Sequence, residues 1–122
     1  MDTSGAPESS AIPPPQRLTS TQRSALIAVL RRFGVRRAGL FGSFVRGNAS
    51  PDSDVDLLIQ PPPTMSLFGF SELALALEDL LGRPVDLVTY ASLHPRLHDS
   101  VFAHYDQLFT VDLDKVEANL AR

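Results

Sequence analysis

The 122-residue chain has no cysteine, no internal repeat and no apolar run near the ~18 residues a membrane-spanning helix needs. Without cysteine, disulfide stapling and thiolate chemistry are excluded, and the composition suits a reducing compartment. The first residues also lack the charged and apolar regions of a secretory signal, so a soluble cytoplasmic protein is the expectation. A uniformly basic surface is missing too: the formal charge is −3. That balance argues against direct nucleic-acid binding. The charge is nevertheless unevenly spread, with seven Arg against two acids in residues 1–50 and four basic residues against twelve acids in 51–122. One end of the chain can attract phosphate and the other a cation.

What is present is ordinary for one globular domain: 43% apolar and 20% charged residues. Four of the ten prolines fall in "MDTSGAPESSAIPPPQ" at residues 1–16, and residues 1–17 are expected to be a disordered tail before a domain over 18–122. Thr19 or Ser20 can cap a helix running to about Phe33, with Leu26, Ile27 and Leu30 on one face and Gly34 at its end. "VRRAGLFG" reads as a first strand to about Phe41, and "SDVDLLIQ" as a second, closed by Pro61, Pro62 and Pro63. A short turn or helix joins them. "SLFGFSELALALEDLLG" has helical spacing up to Gly82, with Leu73, Leu75, Leu77 and Leu80 as its expected core residues, and "PVDLVTY" gives a third strand. The strand–helix–strand order predicts that strands two and three are parallel. A helix from about Ser92 to Tyr105, a strand near Leu108 to Val111 and a terminal turn complete an α+β fold, a mixed sheet flanked by helices.

The chemistry concentrates in "LFGSFVRGNASPDSDVDLLI", residues 40–59. Side chains two apart on a strand share a face, so Asp54 and Asp56 point together while Val55, Leu57 and Ile59 point the other way. Asp86 lies equally early in the third strand, and parallel pairing would bring it to the same end of the sheet. Three carboxylates converging there suit Mg²⁺ or Mn²⁺. Gly42 lets a phosphate approach the backbone, Ser43 adds a hydroxyl, and Arg46 offers a charged fork from the same helical face. Phosphate donors beside metal carboxylates are what nucleotidyl transfer requires.

"GSFVRGNASPDSDVDLLI" followed by "VDLV" resembles the polymerase-β-like nucleotidyltransferases, whose signature is GS, then RG, then SDxDLL, with a third Asp on a later strand. In its small size and in "LGRPVDLVTYASLHPRL" it is similar to the minimal nucleotidyltransferases that act as antitoxins beside HEPN toxins. The resemblance covers about residues 20–110; Val45 departs from it, standing where many members carry Ala. It implies the polymerase-β-like nucleotidyltransferase fold, with Gly42, Ser43 and Arg46 holding the phosphates of ATP. Asp54, Asp56 and Asp86 would bind Mg²⁺ or Mn²⁺, Asp86 also helping to activate the acceptor. It further implies AMP transfer to a hydroxyl, a tyrosine, of a HEPN toxin held in a hetero-oligomer. Two alternatives stand beside it: an antitoxin that works by contact alone, and a transferase acting on a small molecule such as an aminoglycoside.

Rival readings of these residues fail on spacing. "DSDVDL" is not a calcium loop, because Leu57 and Pro63 occupy its required Gly and Glu positions. Ser43 lacks the G-x-S-x-G of an acyl-transfer nucleophile. His94 and His98 lie four apart, but Pro95 and Arg96 replace the acid of a zinc helix, leaving capping or surface roles. Arg31, Arg32, Arg36 and Arg37 read as a helix end and its exit loop.

Overall fold

The structure is a computed structural model that describes residues 17–111. The expected tail, apart from Arg17, and the terminal turn lie outside those residues. The first helix, α1, is Ser20–Arg32, opened by Thr19 in a capping box: its hydroxyl accepts from the Gln22 amide while the Gln22 side chain accepts from the Thr19 amide. There follow β1 (Arg37–Phe41), the one-turn helix α2 (Ser43–Arg46) and β2 (Val55–Gln60). Helix α3 (Leu67–Leu81) starts at the Ser66 cap and stops at Gly82; β3 (Val85–Thr89), α4 (Pro95–Ala103) and β4 (Tyr105–Thr110) complete the order.

The four strands form one sheet in the order β3-β2-β1-β4. Strand β1 is antiparallel to both neighbours, whereas β2 and β3 are parallel, as the crossover through α3 predicts. Helices α1 and α3 pack together on one face, where Leu26 and Leu30 meet Leu73, Leu77, Leu57 and Ile59, all fully buried. Each such leucine contributes about 1.5–3 kcal/mol by leaving water. Among the described residues no helix is long and apolar enough to cross a membrane.

Three expectations need correction. Leu75 and Leu80 are 62% and 36% exposed, because the inward stripe of α3 is Leu73, Leu77 and Leu81, spaced four apart. Helix α4 begins at Pro95 rather than Ser92, since Ser92 is held in a turn by Thr89 and His94 caps the helix by accepting from the Arg96 amide through Nδ1 at 3.0 Å. Strand β4 begins at Tyr105, earlier than expected, because it pairs with β1 along its whole length, with an irregularity between Ala38 and Gly39. Pairing with a neighbour thus decides a segment that has little strand pattern of its own.

The second face of the sheet is thinly covered. Phe102 of α4 packs on Tyr105 with ring centroids 4.7 Å apart, and the guanidinium of Arg37 stacks 4.2 Å from the Tyr90 ring centroid. The hydroxyls of Tyr90 and Tyr105 are hydrogen-bonded to each other. Tyr90 follows β3 and Tyr105 opens β4, so this contact links the two edge strands. The Tyr105 ring lies directly against Gly39, in space that any side chain there would need.

Candidate active site

Strand β1 delivers the chain to Gly42, which is buried with φ 76° and ψ −152°, a region that glycine alone occupies readily. A Cβ at this position would collide with the carboxylate of Asp56, whose Cγ would be 3.0 Å away. Bare backbone is therefore laid against a carboxylate. The amides of Val45 and Arg46 both donate to the Gly42 carbonyl at 3.0 Å, closing the turn of α2 that carries Ser43 and Arg46. Ser43 is half-buried and Arg46 exposed.

The chain then crosses to β2 through a turn at Ser50–Ser53, with Pro51 in its second position and the Ser53 amide donating to the Ser50 carbonyl at 3.0 Å. Asp52 is exposed in that turn, and its amide donates to the Ser50 hydroxyl. Val55, Leu57 and Ile59 enter the core, so Asp56 lies on the opposite face as expected. Parallel register places Asp86 directly beside Asp56. Burial pushes the Asp56 carboxyl above the usual carboxylate range, the charges of Asp86 and Asp54 push it further, and Arg46 pulls it down. Asp56 thus responds to two carboxylates and to the Arg46 guanidinium at once.

Asp54 and Asp86 are exposed, and among the described residues no three His, Cys, Asp or Glu side chains stand close enough together to hold a metal ion as placed. The donor set still fits a hard divalent cation. It is all oxygen, and its half-buried member is disfavoured as an anion first by burial and then by two like charges, which a cation would offset.

A cleft of about 440 Å³ opens beside this group, lined by Phe41, Gly42 and Arg46 on one side and by Ser100, Val101, Ala103 and His104 on the other. The three aspartates are not in its wall; Gly42 and Arg46 are shared between cleft and carboxylates. His104 had no sequence signal, because its approach depends on pairing: Tyr105 faces Phe41 across antiparallel strands, which brings the residues beyond them, His104 and Gly42, together. A somewhat larger hollow, about 470 Å³, lies around the Arg23–Asp106 ion pair and holds none of the expected site residues.

A mixed four-stranded sheet with Gly-Ser leaving its first strand, Asp-x-Asp opening its second and a third Asp in register on the next defines a nucleotidyltransferase-type protein. Comparison with known proteins agrees: the profile described as "Nucleotidyltransferase domain" matches residues 23–106, and the chain belongs to that family. Among curated relatives, the protein adenylyltransferase MntA of Thermococcus cleftensis is 56% identical over 62 residues, which span 51% of this chain and 63% of that protein. Among solved structures, a chain of a toxin–antitoxin complex with AMP-PNP superposes with a TM-score of 0.64 at 29% identity, covering 75% of this chain and 76% of that one. A complex of the tri-AMPylated Shewanella oneidensis HEPN toxin with MNT antitoxin gives 0.59 at 26% identity, over 78% and 75%.

Proposed function

We propose that this chain transfers AMP from ATP to a hydroxyl, a tyrosine, on a HEPN-class partner protein and silences that partner. The observation that carries the reading is the lateral pairing of Asp56 with Asp86, with the Asp56 carboxylate against the backbone of Gly42 at the start of the Ser43–Arg46 turn. Likeness to the T. cleftensis protein adenylyltransferase, to a toxin–antitoxin complex with AMP-PNP and to a complex of a tri-AMPylated HEPN toxin supports the choice of an adenine nucleotide and of a HEPN-class acceptor protein.

In this reading the Ser43 hydroxyl and the exposed Arg46 guanidinium hold the β- and γ-phosphates, and the backbone at Gly42 admits them because no side chain intervenes. Asp54, Asp56 and Asp86 would hold Mg²⁺ or Mn²⁺, which when bound neutralises pyrophosphate charge and aligns the attacking oxygen. The Asp86 carboxylate takes the proton of the acceptor hydroxyl. A bond forms between that oxygen and the α-phosphorus, the bridging bond to the β-phosphate breaks, and pyrophosphate leaves. The partner presents the tyrosine, because transfer demands a fixed line of attack that an open sheet end cannot impose on a freely diffusing acceptor.

Intact-mass measurement of a co-purified HEPN partner after incubation with ATP and Mg²⁺ tests this. One or more AMP additions are expected with the wild type and none with Asp86→Asn, which should still bind the partner. A partner silenced equally by both proteins without added nucleotide would instead establish neutralisation by contact.

A further inference from the structure

The turn between α3 and β3 places an arginine behind the site, and among the described residues it touches neither a carboxylate nor the cleft. The turn is fixed from two sides: the Glu78 carboxylate accepts from the Val85 amide at 3.1 Å, and the Val55 amide donates to the Pro84 carbonyl at 3.0 Å. Because Val55 pairs with Val85 in parallel register, Ser53 runs beside Arg83. From there Nη1 of Arg83 donates to the carbonyl oxygens of Ser53 at 3.1 Å and Ser50 at 3.4 Å. The same guanidinium lies 4.9 Å from the centroid of the Phe44 ring. Ser50 and Ser53 bracket the turn that leads directly into Asp54, and Phe44 stands between Ser43 and Arg46 in α2. One half-buried side chain therefore contacts both the loop of the first carboxylate and the helical turn of the phosphate donors.

A guanidinium is suited to this double contact, since its edge donates to carbonyls while its face stacks on an aromatic ring. A lysine ammonium has no such face. The cation that eases the charge on Asp56 is Arg46; Arg83 is occupied by carbonyls and a ring.

We propose that Arg83 is a positioning residue: it clamps the Asp54 loop to the Ser43–Arg46 turn and so sets the carboxylate half of the site against the phosphate half. The catalytic part of this inference rests on the transferase reading above; the clamp itself does not. Displacing reacting groups by about 1 Å costs on the order of 100-fold in rate, and the two carbonyl contacts of Arg83 tether the loop between Gly47 and Asp54 against a shift of that size.

The experiment compares wild type, Arg83→Ala and Arg83→Lys as full chains. Amide hydrogen exchange without nucleotide is read first: exchange over residues 48–54 should rise about tenfold or more in both variants, while the α3 amides near Leu77 keep their protection. Arg83→Lys keeps the charge and most of the stem, and so guards against failure of the alanine variant to fold. Unchanged exchange over 48–54 in a folded variant would overturn the clamp. AMP transfer to the partner is read second. The turnover number should fall about 30–100-fold while the KM for ATP moves less than about threefold, and lysine should restore little of it. Faster loop exchange with turnover within about threefold of wild type would overturn the positioning role. A wild type that transfers nothing refutes the transferase reading and with it the catalytic part, and the exchange measurement then judges the clamp alone.

Discussion

Replacing Gly42 by alanine tests the closest contact in the site. Two separate costs are expected. The first is backbone strain: at φ 76° and ψ −152° a non-glycine residue costs about 1–3 kcal/mol. The second is steric, because the new methyl would occupy the place of the Asp56 carboxylate, which must rotate away. Gly47→Ala is the control. It has φ 85°, a left-handed conformation costing about 1–2 kcal/mol with Cβ, but nothing lies within 4 Å of that Cβ. Gly47→Ala should therefore lose about 1–2 kcal/mol and Gly42→Ala about 1–3 kcal/mol of strain with the clash in addition, visible as falls in Tm of about 4–8 °C per kcal/mol for a domain of this size. Only Gly42→Ala should lose transfer, by about 100-fold or more, since only there is a carboxylate displaced. Thermal melting and single-turnover labelling of the partner, measured side by side, separate strain from displacement. If folded Gly42→Ala transfers AMP within about threefold of Gly47→Ala, the Asp56 carboxylate is not needed where the structure puts it.

Asp54→Ala or Asp56→Ala should abolish transfer with the fold intact; activity within about tenfold of wild type in either would sink the metal assignment. Asp56→Asn should melt higher than wild type near neutral pH without divalent cation. The folded carboxyl is raised above its unfolded value of about 3.9, so wild type loses stability as pH rises from that value through the folded one. The advantage should vanish in acid, and added Mg²⁺ should stabilise wild type more than the variant; a melting series over pH and Mg²⁺ checks both. Ser43→Ala should cost less activity than loss of a carboxylate, and Arg46→Ala should mainly raise the KM for ATP, as initial-rate kinetics will show. Leu77→Ala should cost about 2–5 kcal/mol in urea unfolding and Leu75→Ala less than about 0.5 kcal/mol, following their opposite exposure.

Much of this arrangement was legible in residues 40–59, because the rules involved are local. Alternation sends Val55 and Leu57 one way and Asp56 the other, and a crossover helix makes β2 and β3 parallel, which puts Asp86 beside Asp56. What stayed hidden depends on neighbours distant in sequence. Strand β4 begins at Tyr105 because β1 pairs with it, and His104 reaches the cleft only through that pairing. Arg83 sits in plain sight in "LGRPVDLV", yet its partners Ser50, Ser53 and Phe44 are 30 or more residues upstream. The exposure of Leu75 and Leu80 is hidden in the sequence for a different reason. Leucine suits either face of a helix, and only packing against α1 chooses the stripe of Leu73, Leu77 and Leu81.

The hydroxyl contact between Tyr90 and Tyr105 gives the protein its own optical probe. The chain has no tryptophan and only these two tyrosines, so its intrinsic fluorescence reports one spot where the outer strands are joined over Gly39. Burial and the neighbouring hydroxyl raise Tyr90 far above the ordinary phenol range, so in the folded chain it should resist the alkaline pH at which free tyrosine ionises. A shift in ultraviolet absorbance at high pH would then mark the edges of the sheet coming apart, and the emission spectrum would follow a docking partner that disturbs α4, with no label attached.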